Sequence, residues 1–205
     1  ATAMLICFLI GPYIINFLKK RQKKGQPIRL DGPEWQITAK KGTPTMGGSM
    51  MLISLTISTL LWTDILNIFI WLLLFLTLSF GCIGFIDDYL KVIKKVEKGM
   101  IARYKMIGQV ALGILISYWI VNSSEFIDFN TKTTIPFLKN IEIDLGYMYP
   151  ILVIVVISAT SNAVNLTDGL DGLAIGLLAI CFSFFAAVYY ITGRIDFSDY
   201  LNILY

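Results

Sequence analysis

The sequence has no histidine, only three cysteines and few charged residues. Histidine is the side chain that most readily changes charge near neutral pH, so acid–base or metal chemistry here must use carboxylates, lysines or water. The cysteines all lie inside apolar runs and have neither the spacing of a metal site nor that of a disulfide framework. Charged residues make up 15% of the 205 positions, against about 25% in soluble domains, which argues against a soluble enzyme.

Apolar residues, by contrast, make up 56% of the chain, and the mean hydropathy is +0.71. Six apolar runs stand out, and each approaches the roughly 20 residues that cross a bilayer as a helix. They occupy residues 4–18, 46–62, 65–86, 106–121, 147–161 and 173–191. We therefore predict an all-α, polytopic transmembrane helix bundle with six spans, in which the shorter runs can gain a turn from their flanks. Residues 201–205 are apolar again and would begin a seventh helix.

The positive charges are divided very unequally between the two sides that these spans define. Segments 19–45, 87–105 and 162–172 together carry 14 lysines and arginines, whereas the segments on the other side carry three. Because positive residues mark the cytoplasmic face, we predict an N-terminus outside and these three segments inside. The basic residues would bind anionic lipid headgroups, and we expect no nucleic-acid partner. The outer segment 123–146 alternates polar and apolar residues, which predicts a small hairpin with strands at 134–138 and 141–145.

Two adjacent aspartates follow the third apolar run without a gap, in the motif Asp87-Asp88-Tyr89-Leu90-Lys91. Neighbouring carboxylates at a membrane surface repel each other and need a cation. If the helix continues, Asp87 and Lys91 are four residues apart and can pair. The motif is therefore either a helix end that reaches water with a surface ion pair, or part of a functional site.

The segment 162–172 carries the strongest chemical pattern, Asn-Ala-Val-Asn-Leu-Thr-Asp-Gly-Leu-Asp-Gly. Its carboxylate and amide oxygens are the hard ligands that Mg²⁺ prefers. Each aspartate precedes a glycine, which allows a tight turn and the close approach of a ligand. The segment contains no lysine or arginine, unlike the other inner segments. An acidic loop on a basic face indicates a cation site, and the alternative is a simple Asp-Gly turn.

A third pattern, Lys40-Lys41-Gly42-Thr43-Pro44-Thr45-Met46-Gly47-Gly48, leads into the second apolar run. Backbone N–H groups at a glycine-rich helix start can hold an anion, and neighbouring lysines can hold a phosphate. The alternative is an ordinary basic flank with a Pro-Thr helix start. The predicted topology places all three patterns at one membrane surface, where a site could hold Mg²⁺, a diphosphate and a lipid phosphate together.

In this order, the three motifs resemble those of the bacterial phospho-N-acetylmuramoyl-pentapeptide transferases. These enzymes belong to the polyprenyl-phosphate N-acetylhexosamine-1-phosphate transferase superfamily, or glycosyltransferase 4 superfamily. The resemblance implies an Mg²⁺-dependent enzyme of the bacterial inner membrane, with its active site on the cytoplasmic face. It would transfer phospho-MurNAc-pentapeptide from UDP-MurNAc-pentapeptide to undecaprenyl phosphate, giving UMP and lipid I for peptidoglycan synthesis. It also implies a homodimer.

The resemblance also assigns roles by position. Asp168 would be the Mg²⁺ ligand, supported by Asn165. Asp87 and Asp88 would be the acidic pair at the lipid phosphate, with Lys91 as the matching lysine. The positions that map to substrate binding are Lys40, Thr45, Asn162, Asn165, Gly169, Leu170, Asp171 and Arg103.

The family has more spans than the six found here, and it has a further aspartate and a histidine-rich loop in its second half. We therefore expect residues 1–205 to be a single, incomplete integral membrane domain from the N-terminal portion of such an enzyme. The alternatives are a polyprenyl-phosphate N-acetylglucosamine-1-phosphate transferase and an inactive truncated fragment. An ion-coupled transporter fits less well, because these carboxylates lie at the inner ends of the spans rather than in mid-membrane. Direct attack by the lipid phosphate and a two-step route through an aspartate both remain open.

Overall fold

The computed structural model describes residues 1–22, 44–94, 99–124, 131–134, 141–169 and 172–201. The described residues are mostly helical, as predicted. The helices are α1 (Thr2–Arg21), α2 (Gly48–Trp62), α3 (Ile68–Val92), α4 (Ala102–Asn122), α5 (Tyr149–Thr167), α6 (Leu173–Thr192) and α7 (Ile195–Leu201), with a 3₁₀ turn at Gly146–Met148 before α5. Two short strands, β1 (Lys132–Thr134) and β2 (Glu142–Asp144), lie between α4 and α5.

Each of the six predicted runs coincides with one of the helices α1–α6. Within the described residues, five helices are long and apolar enough to cross a membrane, and α2 is a shorter apolar helix. The helices α4 and α5 extend beyond their runs, as predicted for short runs, but α2 does not lengthen. Met46, just before α2, has a left-handed φ of 72°, which a right-handed helix cannot contain. Pro44 also precedes the start of α2 and cannot donate a helical hydrogen bond.

The chain divides into two compact units, Ala1–Val155 and Val156–Tyr205. In the first unit, α1 packs on α2, α2 on α3 and α3 on α4. At one end of this unit, hydrogen bonds join Gln22 to Thr45 and Thr45 to Asp88. At the other end, the Trp62 indole donates to the Thr2 hydroxyl over 2.8 Å. The helices therefore alternate in direction, and we call the end with Asp88 the acidic end.

Helices in the first unit approach each other closely where glycine replaces a side chain. A Cβ added to Gly113 of α4 would lie 2.7 Å from Ile154 Cγ1 and 3.0 Å from Ile154 Cα. No larger residue fits there without a shift of the α5 backbone. Small residues at helix contacts are typical of membrane bundles, in which close packing drives helix association.

Burial in the first unit is reversed relative to a water-soluble protein. The most buried side chains of its helices include Gln109, Ser54 and Ser117, whereas large apolar side chains such as Leu9 and Leu73 are exposed. The buried hydroxyls donate to the carbonyl four residues earlier in their own helix, as Ser54 does to Met50 and Ser117 to Gly113. This arrangement leaves apolar surface for lipid, so the described helices are those of a membrane protein.

The predicted hairpin is present, although its first strand begins earlier than expected. Strands β1 and β2 pair antiparallel, with Lys132 opposite Asp144 and Thr134 opposite Glu142. Residues 135–138, the rest of the predicted first strand, lie outside the described residues. Asp144 accepts hydrogen bonds from the Thr131 hydroxyl and from the Gly146 N–H. These bonds, chiefly the one from Thr131, hold the pKa of the Asp144 carboxyl below its usual range.

In the second unit, α6 is followed after a two-residue turn by the short helix α7. Ser198 of α7 is buried, and its hydroxyl donates to the carbonyls of Ile191 and Thr192 at 3.2 and 3.3 Å. Helical structure thus returns at Ile195, before the point predicted for a seventh helix. Leu201 ends α7, and residues 202–205 of the prediction lie outside the described residues. That residues 1–205 form a single membrane domain stays a prediction.

Candidate active site

The Asp87 carboxylate is held by two different parts of the chain. Helix α3 continues through the acidic motif to Val92, so Lys91 lies one turn after Asp87. Lys91 Nζ is 2.6 Å from Asp87 Oδ2, which confirms the predicted pairing. The other oxygen, Oδ1, accepts a hydrogen bond from the Met100 backbone N–H at 2.8 Å. Both oxygens of Asp87 are therefore engaged, one by a cation and one by the segment before α4.

Asp88 is bound differently from its neighbour. Its Oδ2 accepts a hydrogen bond from the Thr45 hydroxyl at 3.0 Å, across 43 residues of sequence. Its other oxygen, Oδ1, accepts no hydrogen bond from the residues that the structure describes. The first and third predicted motifs thus meet at the acidic end, and Asp88 retains a carboxylate oxygen for a further partner.

Positive charge surrounds this pair of aspartates. Besides Lys91, Lys105 of α4 interacts electrostatically with Asp87. Arg103, predicted to bind substrate, lies exposed in the first turn of α4. Lys19, Lys20 and Arg21 form the last turn of α1, which ends at the same side of the unit. An anion approaching the acidic end would meet several cations as well as the two carboxylates.

Gly99 makes room for the contacts of Asp87. Its φ of +62° lies in the left-handed region, where glycine is favoured. A Cβ at this position would overlap Lys91 Cε and would lie 2.5 Å from Asp87 Oδ1. The loop before α4 can therefore reach Asp87 only because residue 99 has no side chain. The sequence analysis did not single out Gly99, although a glycine after a basic run is a signal for a turn.

Gln22 is a second residue that the sequence analysis missed. It follows α1, and only 7% of its surface is exposed. Its Oε1 accepts a hydrogen bond from the Thr45 N–H at 2.9 Å, and its Nε2 donates to the Thr45 carbonyl at 3.2 Å. No local sequence pattern marked it, because its partner is 23 residues away.

The strongest predicted motif lies at the end of α5 in the second unit. Asn162 donates to the Ser158 carbonyl at 2.9 Å, and Asn165 and Asp168 are exposed. The Asp168 N–H donates to the Val164 carbonyl, so helical hydrogen bonding reaches this residue. Asn165 and Asp168 therefore lie one turn apart on the same helix end.

The two described glycines of that motif have different backbone conformations. Gly172, before α6, has a left-handed φ of 84°, as expected for a tight turn. Gly169 lies in the turn after α5 without a positive φ. Lys40, Leu170 and Asp171, all predicted to bind substrate, lie outside the described residues. The roles predicted for the site residues stay predictions.

The donor chemistry at the end of α5 fits a magnesium ion. Asp168 and Asn165 offer one carboxylate and one amide oxygen, and Mg²⁺ usually takes one or two carboxylates and keeps several waters. Among the described residues, no group of three or more aspartates, glutamates or cysteines lies close enough to form an all-protein metal site.

Comparison with known proteins identifies the family. The model of the family described as glycosyl transferase family 4 matches residues 70–205, two thirds of the chain. The chain belongs to glycosyl transferase family 4. The matched part of this family member includes Asp87, Asp88 and the whole 162–172 motif, so the resemblance noted from the motifs is confirmed.

Two curated relatives of this family member are similar over its whole length. The protein from Granulibacter bethesdensis is 48% identical over 202 residues, which cover 98% of this chain and 56% of that protein. The protein from Maricaulis maris is 42% identical over 208 residues, which cover 100% of this chain and 57% of that protein. Both are named phospho-N-acetylmuramoyl-pentapeptide-transferase. The chain thus spans a little over half the length of the curated relatives it matches.

Proposed function

We propose that this chain carries part of the active site of a phospho-N-acetylmuramoyl-pentapeptide transferase. The reaction moves phospho-MurNAc-pentapeptide from UDP-MurNAc-pentapeptide to undecaprenyl phosphate and yields lipid I and UMP. The observation that carries the proposal is the acidic end of the first unit, where Asp88 meets Thr45 and Asp87 meets Lys91. The names of the two relatives support the choice of substrates.

The proposed location is the inner membrane, with the acidic end at the cytoplasmic surface. Most of the described lysines and arginines of the first unit lie at this end, on the last turn of α1, the end of α3 and the start of α4, whereas Lys132 lies in the hairpin. By the distribution of positive charge, this end faces the cytoplasm, where a nucleotide-linked sugar is available. The N-terminus would then lie outside, and the hairpin of β1 and β2 would lie on the outer face. A homodimer, expected from the resemblance, stays a prediction.

The two aspartates have different roles in the proposed reaction. Because Lys91 and the Met100 N–H occupy both oxygens of Asp87, this residue holds the loop before α4 in place. Asp88 has an oxygen available, so it is the carboxylate that meets the lipid phosphate. The second pKa of a phosphate monoester is near 6, so most of the lipid phosphate is already a dianion at neutral pH. Asp88 then orients the attacking phosphate and accepts the proton from its monoanionic fraction.

Charge is the main obstacle when a lipid phosphate attacks a diphosphate. Lys91 and Lys105, which interact with Asp87, and Arg103 in the first turn of α4 would offset the negative charge of the two substrates. Asp168 and Asn165 would hold Mg²⁺, which supplies further charge neutralisation on the diphosphate when bound. In the direct route, the lipid phosphate oxygen bonds to the phosphorus attached to the sugar as the bond from that phosphorus to UMP breaks.

The test is a transfer assay in membranes that contain this chain. The chain is expressed alone and also joined to the part of the Granulibacter relative that the match does not cover. Labelled UDP-MurNAc-pentapeptide and undecaprenyl phosphate are supplied with and without Mg²⁺, and labelled lipid and UMP are measured. We expect Asp88→Asn and Asp168→Asn to lower turnover by about 10²-fold or more. Asp64→Asn is the matched control, because Asp64 lies before α3 at the opposite end of that helix.

The outcomes of this assay separate the proposal from its alternatives. Labelled lipid formed from UDP-N-acetylglucosamine but not from UDP-MurNAc-pentapeptide would favour the sibling transferase. No product from either form of the protein would exclude the activity. Product only from the joined form would show that this chain supplies part of the site. A trapped phospho-aspartyl enzyme that carries MurNAc-pentapeptide would replace the direct route with the two-step one.

A further inference from the structure

Gln22 makes an unusual pair of hydrogen bonds with the backbone of Thr45. One side-chain amide both accepts from the N–H and donates to the carbonyl of the same residue, at 2.9 and 3.2 Å. The amide thus pairs with the Thr45 N–H and carbonyl as the backbone of a neighbouring β-strand would. Glutamine and asparagine have both a strong donor and a strong acceptor on one planar amide, and glutamine is the longer of the two.

The backbone that Gln22 holds is strained. Met46, directly after Thr45, is 8% exposed and has a φ of 72°. The left-handed conformation is disfavoured for a residue with a side chain, and such strain persists only where surrounding contacts over-determine it. Gln22 supplies these contacts, because its Nε2 also lies 3.6 Å from Met46 Sδ as a donor.

The strained turn determines where the Thr45 side chain points. The Thr45 hydroxyl donates to Asp88 Oδ2 at 3.0 Å, and this is the contact that fixes the Asp88 carboxylate among the described residues. A relaxed Met46 would rotate the backbone of Thr45 and carry the hydroxyl away from Asp88. The chain of contacts therefore runs from Gln22 through the Thr45 backbone and the Thr45 hydroxyl to Asp88.

We propose that Gln22 is a positioning residue, which fixes the Thr45–Met46 turn so that the Thr45 hydroxyl orients Asp88. This inference rests on the proposed function, because it assigns Asp88 a role in the transfer reaction. Gln22 itself need not touch substrate. Its effect on the reaction passes through Thr45, so the coupling between Gln22 and Thr45 can be measured through kcat.

The test compares Gln22→Met with Gln109→Met in the joined form of the protein used for the transfer assay. Both changes replace a buried amide with an apolar side chain of similar length, and Gln109 lies on α4, two turns from the acidic end. We expect Gln22→Met to lower kcat by about ten-fold or more, since small misplacements in an active site cost that much. KM for UDP-MurNAc-pentapeptide and the kcat of Gln109→Met should change by less than about two-fold.

A double-substitution cycle tests whether Gln22 acts through Thr45. Thr45→Val removes the hydroxyl that reaches Asp88 but keeps the backbone that Gln22 holds. In the Thr45→Val background, Gln22→Met should lower kcat by less than about two-fold, because the effects of coupled residues are not additive. An equal loss in both backgrounds would overturn the proposal, and so would an unchanged kcat in Gln22→Met alone.

Hydrogen–deuterium exchange separates this proposal from the proposed function. The Thr45 N–H is protected by Gln22, so a peptide that contains Thr45 should exchange faster in Gln22→Met and not in Gln109→Met. Faster exchange in a protein whose wild type makes no lipid product would confirm the Gln22–Thr45 contact and overturn its link to lipid transfer. Unchanged exchange in an active protein would overturn the positioning role and leave the transferase activity standing.

Discussion

Replacing Gly99 with alanine should weaken the contacts around Asp87, and the resulting loss of unfolding free energy can be worked out from the structure. A left-handed φ of +62° costs about 1–2 kcal/mol for a residue with a Cβ. The new methyl group would also overlap Lys91 and crowd Asp87 Oδ1. If this displaces the bond from the Met100 N–H to the carboxylate, a charged hydrogen bond of about 1.5–3 kcal/mol is lost in addition. The total, after partial relaxation, is about 2–4 kcal/mol of unfolding free energy.

Thermal unfolding of the detergent-solubilised protein, followed by circular dichroism, measures this cost. We expect the midpoint of Gly99→Ala to fall by about 5 °C or more, using the usual relation between stability and Tm. Gly84→Ala is the matched control on α3, because a Cβ at Gly84 would meet no atom within 4 Å and its φ is not positive. Gly84→Ala should leave the midpoint unchanged or raise it slightly, since alanine favours helix.

Measuring Gly99→Ala in a protein that also carries Lys91→Ala separates the overlap with Lys91 from the rest of the loss in unfolding free energy. Lys91→Ala removes both side-chain atoms of Lys91 that the new methyl group would overlap, so Gly99→Ala should then lower the unfolding free energy by less. The backbone part of about 1–2 kcal/mol and the crowding of Asp87 Oδ1 remain. The reasoning is refuted if Gly99→Ala and Gly84→Ala unfold at the same temperature. It is also refuted if the cost of Gly99→Ala is the same with and without Lys91.

Two further substitutions test particular contacts. Gly113→Leu should lower the free energy of unfolding by about 1–3 kcal/mol, as is usual for an overpacked core, because Ile154 leaves no room for a side chain. The thermal midpoint of the same detergent sample should fall accordingly. Thr131→Val should raise the pKa of Asp144 towards its ordinary value, as read from the carboxyl ¹³C shift across an acid titration. The folded pKa of Asp144 is lowered, so its contribution to stability is present above the unfolded pKa and is lost as pH falls through the folded pKa. Thr131→Val should therefore weaken the dependence of the unfolding free energy on pH in that acid range.

The helices were predictable from the sequence because lipid imposes a simple rule. A span must satisfy its own backbone hydrogen bonds and present apolar side chains, so a run such as 173–191 identifies its helix to within one residue. The end of α3 was predictable in part, since a four-residue spacing brings Asp87 to Lys91. The hairpin also followed from local alternation, although β1 begins two residues before the predicted strand.

The contacts that complete the acidic end could not be predicted in this way. Gln22 meets Thr45, and Thr45 meets Asp88, only after three helices have packed side by side, and no local spacing encodes those pairs. The partner of Asp87 Oδ1 is the backbone N–H of Met100, which carries no side-chain signal at all. The resemblance pointed to Thr45 and Asp88 separately, whereas their hydrogen bond is a finding of the structure.

The length of α2 has a consequence for the bilayer around the protein. At 1.5 Å per residue, its 15 residues span about 22 Å, whereas the hydrocarbon layer is about 30 Å thick. If α2 crosses the membrane, as predicted from its run, this hydrophobic mismatch is relieved when the bilayer thins beside it. Thinning shortens the path from the headgroup layer to Asp88. A long-chain lipid phosphate beside α2 would then reach the acidic end with its tail still in the hydrocarbon.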